Sequence, residues 1–276
     1  MKKKGGGLDL ATLAGVGIAL GAILGGLVLE GGQIGDILQL TAALIVLGGT
    51  CGAVMIATPQ RVLKSAVRRL AGVMRDSGPP LADVLSGLIE YAKIARKSGL
   101  TALDRVTEEI ADPFLKKALM LAVDGCDLQE IRHMLELEIE LEEARAEAEA
   151  KVFEGAGGYA PTIGIIGAVL GLIQVMKNLA NIDEVGHGIA VAFVATVYGV
   201  GASNLLFLPV AQKIKARAHA DTQRRELILE GIAGIVEGLN PKLLQAKLEA
   251  YDHVPGKSRK TAPGKAAETS AAQGAA

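Results

Sequence analysis

Four stretches of this chain contain no Asp, Glu, Lys or Arg: Leu10–Leu29, Ile37–Pro59, Gly155–Met176 and Val185–Gln212. A helix of about 20 apolar residues crosses the ~30 Å hydrocarbon core of a bilayer. There, every backbone N–H and C=O has to be bonded internally, which favours helices for stretches like these. The expected fold class is all-α: a polytopic membrane protein with four transmembrane helices and a helical cytoplasmic domain between the second and third. The absence of charge also bounds the chemistry. If such a chain conducts ions, its own helices hold no carboxylate at membrane depth, and a partner has to bring one.

Half of the residues are hydrophobic and 21% are charged, as suits a membrane domain joined to a charged soluble part. A formal net charge of −1 gives no basis for nucleic-acid binding. Cys51 falls in the second span and Cys126 in the middle segment, so they form no disulfide framework and read as small hydrophobes. Lys2–Lys4 before the first span resemble the start of a signal peptide. The span is longer than a typical signal core, no small-x-small site precedes Glu30, and a second span follows closely, so it reads as a retained helix.

Lys and Arg set the expected orientation. They occur before the first span, at Arg61, Lys64, Arg68 and Arg69 after the second, and at Lys213, Lys215 and Arg217 after the fourth. The loop Glu30–Asp36 has none and Lys177–Glu184 has one. Both termini and the middle segment are therefore expected in the cytoplasm. The expected domains are a first hairpin (1–59, helices at about 10–29 and 37–57), a cytoplasmic helical domain (60–154), a second hairpin (155–212, helices at about 155–176 and 185–212), a cytoplasmic C-terminal helix (213–252) and a tail (253–276). Pro, Gly, Ala, Ser and Lys dominate the tail, which predicts disorder.

Local signals divide the middle domain. Pro79-Pro80 opens a helix over Leu81–Arg96, Ser98-Gly99 stops it with Gly99 in the αL position, Thr101 is a candidate cap for a short helix, and Asp112-Pro113 starts another. A long acidic helix is expected from Leu128 to about Glu154, and Asn240-Pro241 interrupts the C-terminal helix.

Small residues recur every three or four positions in the spans: Gly17, Gly21 and Gly25; Gly48 and Gly52; Gly164, Gly167 and Gly171; Ala192, Ala195 and Gly199. Such spacing permits close helix approach, within one subunit or between subunits. Pro161 and Pro209 each bend a span, either as a static kink or as a flexing point. Thr196, Tyr198, Asn204, Thr162 and Gln174 are the main polar groups at depth. A threonine hydroxyl there bonds its own helix or faces water and a cation. His187, near the outer end of the fourth span, is an interfacial spectator or a proton entry group. No metal-ligand spacing, phosphate loop or nucleophile–base pair is present, so no enzyme activity and no cofactor are expected.

Runs in three of the spans carry a family resemblance. Ala160-Pro161-Thr162-Ile163-Gly164-Ile165-Ile166-Gly167-Ala168-Val169-Leu170-Gly171-Leu172 resembles the third helix of the flagellar stator family of MotA and PomA, within the wider MotA/TolQ/ExbB proton channel family. Ala195-Thr196-Val197-Tyr198-Gly199 and Asn204-Leu205-Leu206-Phe207-Leu208-Pro209 resemble its fourth helix, and Gly48-Gly49-Thr50 with Thr58-Pro59 the end of its second. The similarity extends over roughly residues 8–250. The three-span relatives TolQ and ExbB lack a fourth span.

The resemblance implies a stator subunit of the bacterial flagellar motor in the inner membrane, coupling ion flow to torque. It implies a homo-pentamer around a MotB-like partner dimer that supplies the ion-binding Asp, and contact with the rotor protein FliG. It implies that Arg96 and Asp104 form the rotor interface, Asp104 standing where the family has Glu, and that Pro161 and Pro209 are the coupling prolines. Thr196, Ala168 and Tyr198 are implied in the ion path. Sodium-type members carry Thr where this chain has Ala168. A dehydrated Na+ needs oxygen ligands and a proton does not, so H+ is the expected ion. A homologous ion-driven unit powering another envelope machine is the alternative.

Overall fold

The computed structural model describes residues 10–73 and 79–252. The basic start at Lys2–Lys4 and the tail from 253 expected to be disordered lie outside them. Every regular element among the described residues is helical, and four helices are long and apolar enough to cross a membrane.

The first span, α1 (Leu10–Leu29), buries none of its residues against the rest of the subunit. Gly31, at φ +85°, turns the chain out of it, and the Asp36 carboxylate accepts a bond from the Gln33 N–H at 2.8 Å across the loop. The second span, α2, covers residues 40–57. It is α-helical at Leu40–Ala43 and Gly49–Ala57, with a π-helical stretch over Leu44–Gly48 between. After an extended Thr58 comes α3 (Gln60–Val73), a segment expected only as a basic flank. Its apolar side chains recur at helical spacing: Val62, Leu63 and Ala66 pack against Val54, Val152 and Ala156, leaving Arg61, Lys64 and Arg68 exposed.

The extramembrane domain begins with α4 (Leu81–Ser98), ending two residues beyond the expected Arg96. Gly99 closes it with φ +84° and ψ 164°, which replaces the expected αL geometry with a region essentially reserved for glycine. Thr101 does not act as a cap. It lies in a 3-10 turn (Leu100–Leu103), and Leu103 stands before the one-turn helix α5 (Asp104–Thr107). Helix α6 (Pro113–Val123) starts as expected: the Asp112 carboxylate accepts from the Phe114 N–H, and Pro113 occupies the first turn where no donor is needed.

Two long helices join membrane to soluble domain. The acidic helix and the third span, expected as separate pieces meeting near Glu154, form the single 50-residue helix α7 (Leu128–Lys177). At 1.5 Å per residue it is about 75 Å long, more than twice the hydrocarbon thickness. The glycines at 155, 157 and 158 do not break it, because Ala156, Gly157 and Ala160 are buried against other helices. The fourth span likewise continues into α8 (Ile182–Val236), interrupted only by a π-helical stretch over Ala202–Phe207. Gly238, at φ +70°, ends this helix, and the Asn240 side chain accepts from the Lys242 N–H to begin α9 (Pro241–Asp252).

One core unites the segments expected as a middle domain and a separate C-terminal helix. Leu227, Ile228 and Ile232 of α8 and Leu244 and Leu248 of α9 pack with Leu88, Leu103, Leu119, Ile131 and Leu135. A Cβ added at Gly231 would lie 2.6 Å from Leu88, so the last turns of α8 press directly on α4. Arg132 donates to Glu230 at 2.8 Å and Lys247 donates to the same carboxylate at 2.8 Å, tying α7, α8 and α9 together. The Arg132 hydrogen bond holds the Glu230 carboxyl below its ordinary value, against an opposing push from burial. The membrane parts of α7 and α8 therefore join this domain through continuous helix rather than through a loop.

Candidate functional site

The second hairpin is held by glycine. Along α7, Gly157, Gly164, Gly167 and Gly171 are buried, and along α8, Gly188, Ala192, Ala195 and Gly199 are buried. A Cβ at Gly164 would lie 2.9 Å from the Ala195 carbonyl oxygen, and one at Gly199 would lie 2.6 Å from the Ala160 oxygen. At Gly171 it would meet the Gly188 oxygen at 2.8 Å. These stripes pack inside one subunit. Gly17, Gly21, Gly25, Gly48 and Gly52 differ: a Cβ at any of them meets nothing within 4 Å.

Gly167 faces Ala195 across the antiparallel hairpin, so the residues that follow them, Ala168 and Thr196, step in opposite directions and lie within about one helical turn of each other in depth. Both are half-buried. The Thr196 hydroxyl donates to the Ala192 carbonyl of its own helix at 3.2 Å. Its proton is committed there, while the oxygen keeps acceptor capacity for water or a cation. Tyr198 points elsewhere. Its hydroxyl donates to the Ile37 carbonyl at 2.6 Å and accepts from the Gln39 N–H at 3.3 Å, bridging to the start of the second span. Asn204 donates to Val200 of its own helix, and the Thr162 hydroxyl donates to Tyr159. Gln174 and His187 are exposed.

Pro161 lies inside α7, and its Cα comes 3.2 Å from the position a Cβ on Gly199 would take. Proline lacks the N–H that would bond the carbonyl four residues earlier, here Gly157. The Ser203 hydroxyl donates to that carbonyl at 2.7 Å. Ser203 is 2% exposed, and sequence reading passed over it. The signal was available: a proline at 161 in a dry helix leaves an acceptor at 157 that some donor has to meet. Pro209 stands in the first turn after the π-helical stretch in α8, so the two prolines occupy different settings.

At the boundary of the soluble part, Arg69 of α3 donates to Glu149 and, at 2.8 Å, to Glu142, both on α7. Burial alone would lower the Arg69 pKa, but the two carboxylates outweigh it and hold the guanidinium above its ordinary value. Glu149 is 3% exposed. This bond pins the segment after the second span to the long helix. Sequence reading took Arg69 only as an orientation charge and Glu149 only as one of many surface glutamates.

Arg96 and Asp104 lie on either side of the Gly99 turn, Arg96 on the last turn of α4 and Asp104 at the start of α5. Both are exposed, as are Lys97 and Arg105. No ion pair engages Arg96 or Asp104 among the described residues, so the turn presents charge outward.

This arrangement has known counterparts. The profile of the MotA/TolQ/ExbB proton channel family matches residues 106–227, and that of the motility protein A N-terminal region matches residues 13–99. Motility protein A of Bacillus subtilis is 36% identical over 253 residues, 91% of this chain and 93% of that protein. The chemotaxis protein PomA of Vibrio alginolyticus is 32% identical over 244 residues, 88% of this chain and 95% of that protein. The structure of C. jejuni MotAB superposes with a TM-score of 0.85 at 36% identity, covering 93% of this chain and 100% of the matched one. The chain belongs to the MotA/TolQ/ExbB proton channel family, and within it to the motility protein A group.

Proposed function

We infer that this protein is a stator subunit of the bacterial flagellar motor, an ion-conducting motor subunit that couples ion flow across the inner membrane to torque on the rotor. The observation that carries this reading is the likeness to a MotAB stator over both the membrane hairpins and the extramembrane domain. The charge-free spans fit it. With no carboxylate of its own at depth, the subunit works with a MotB-like partner dimer that brings the ion-binding Asp, inside a homo-pentamer. The face left uncovered on α1 is available to lipid or neighbouring subunits. The Lys and Arg bias supports a cytoplasmic position for both termini and the extramembrane domain.

Thr196 and Ala168, within about one helical turn of each other in depth in the second hairpin, line the ion path near the partner's Asp. One hydroxyl with a committed proton is a poor cage for a dehydrated Na+, which takes several oxygen ligands. The transported ion is therefore H+. Cells driven by this stator alone are expected to keep swimming in sodium-free medium and to stop on addition of a protonophore; sodium-dependent swimming would contradict this.

Arg96 and Asp104 engage the rotor protein FliG. Exposed ion pairs contribute about 0–1 kcal/mol each, which suits repeated engagement better than tight binding. Arg96→Glu is expected to abolish or strongly reduce swimming while the subunit still accumulates in the membrane at its normal level. Swimming at full speed would remove Arg96 from the rotor contact, and loss of the subunit from the membrane would make its role structural.

A further inference from the structure

Pro161 removes one rung from the hydrogen-bond ladder of α7, and the orphaned acceptor is the Gly157 carbonyl. In a bilayer such a group finds no water, so a neighbouring helix has to satisfy it. Ser203 does so, across 46 residues of sequence. This is unlike the behaviour of three threonines at depth. Thr50 donates to Val46, Thr162 to Tyr159 and Thr196 to Ala192, each within its own helix. That is the ordinary choice for a short hydroxyl side chain in a helix.

Two local features make the crossing fit. Ser203 lies in the π-helical stretch Ala202–Phe207, where an extra residue shifts side chains around the helix axis. Gly157 has no Cβ: one there would lie 2.6 Å from Leu208 and 3.6 Å from the Ser203 Oγ. The proline frees the acceptor, the glycine uncovers it and the π-helical turn aims the donor.

We propose that Pro161, Gly157 and Ser203 form one hydrogen-bonded joint between the third and fourth spans, with Ser203 the positioning residue that sets the bend of α7 at Pro161. The bond stands on geometry alone; its bearing on torque rests on the stator reading above. Releasing the Gly157 carbonyl would strand it, since Pro161 supplies no N–H, so the Ser203 bond holds α7 to its present course past Pro161.

A double-mutant cycle tests this, using the full chain purified with its partner subunit. Ser203→Ala is expected to lower the thermal midpoint by about 3 °C. In a Pro161→Ala background the same change should leave the midpoint unaltered, because the restored N–H takes the Gly157 carbonyl. Ser203→Thr, which keeps the hydroxyl, should restore the midpoint. In cells, Ser203→Ala is expected to slow swimming about twofold. Equal losses in both backgrounds would overturn the joint and reduce Ser203 to a packing residue. Coupled midpoints with undiminished swimming would overturn its part in movement. If the wild-type chain restores no motility at all, the stator reading fails, and the midpoints still report on the bond.

Discussion

Gly199→Val is expected to remove most of the protein from the membrane. A Cβ at this position would lie 2.6 Å from the Ala160 oxygen, 3.1 Å from the Gly164 Cα and 3.2 Å from the Pro161 Cα. All three are backbone atoms of α7, so no rotamer change relieves the contact and the helices have to separate. Forcing side-chain volume into a packed interior typically costs about 1–3 kcal/mol, and here the whole side chain enters against main chain, which places the expected loss at about 3 kcal/mol or more. The hairpin it would open also sets the level of Thr196 against Ala168. Gly21→Val is the matched control, since a Cβ there meets nothing within 4 Å of its own subunit. Immunoblots of the membrane fraction should show Gly199→Val depleted and Gly21→Val retained by the subunit fold. Normal amounts of Gly199→Val with an unchanged melting midpoint would mean that the helices do not cross this closely in the membrane.

The second large effect is expected at Arg69→Ala. Glu149 keeps 4% of its side chain in solvent, and Arg69 is its ion-pair partner. Removing one member of a buried pair strands the other charge, at a cost of about 3–5 kcal/mol. Arg69 itself retains 26% side-chain exposure, so water reaches part of the pair and the lower end of that range, about 3 kcal/mol, applies. Removing both groups is a different experiment. Arg69→Ala with Glu149→Ala leaves no stranded carboxylate and should recover most of the loss. Thermal unfolding of the purified protein distinguishes the cases; a single variant as stable as wild type would show that the pair contributes nothing, and a double variant no better than the single would show that packing, not charge, is what was lost.

The membrane plan was readable because hydropathy over twenty uncharged residues needs no knowledge of neighbours. Caps and breaks at Asp112-Pro113 and Asn240-Pro241 were readable for the same reason: their physics is local. What escaped depends on partners far away in sequence. The Arg69–Glu149 bond joins residues 80 apart, and nothing within Arg68-Arg69 says which of the two turns inward. Glu149 did leave a trace, lying beside Ala146 and Ala150 on the buried line of a helix whose other glutamates face water. The fusion of soluble helix and third span was missed because the division follows the last charged residue, Glu154, whereas charge marks where water ends and not where a helix ends, and buried contacts at Ala156 and Gly157 support the helix there. For Tyr198 the resemblance implies a place in the ion path, and the contact its hydroxyl makes with Ile37, 161 residues away, is not legible in the motif. Pro161 was flagged as a bend, but the donor its bend demands, Ser203, follows only from asking where the freed carbonyl goes.

The most direct measurement is motility after deletion of the gene, with flagellar filaments counted by microscopy. A stator subunit predicts cells with normal filaments that do not turn, restored by the wild-type gene and not by Arg96→Glu. Deleted cells that swim as before would contradict the account and assign this subunit to another ion-driven machine.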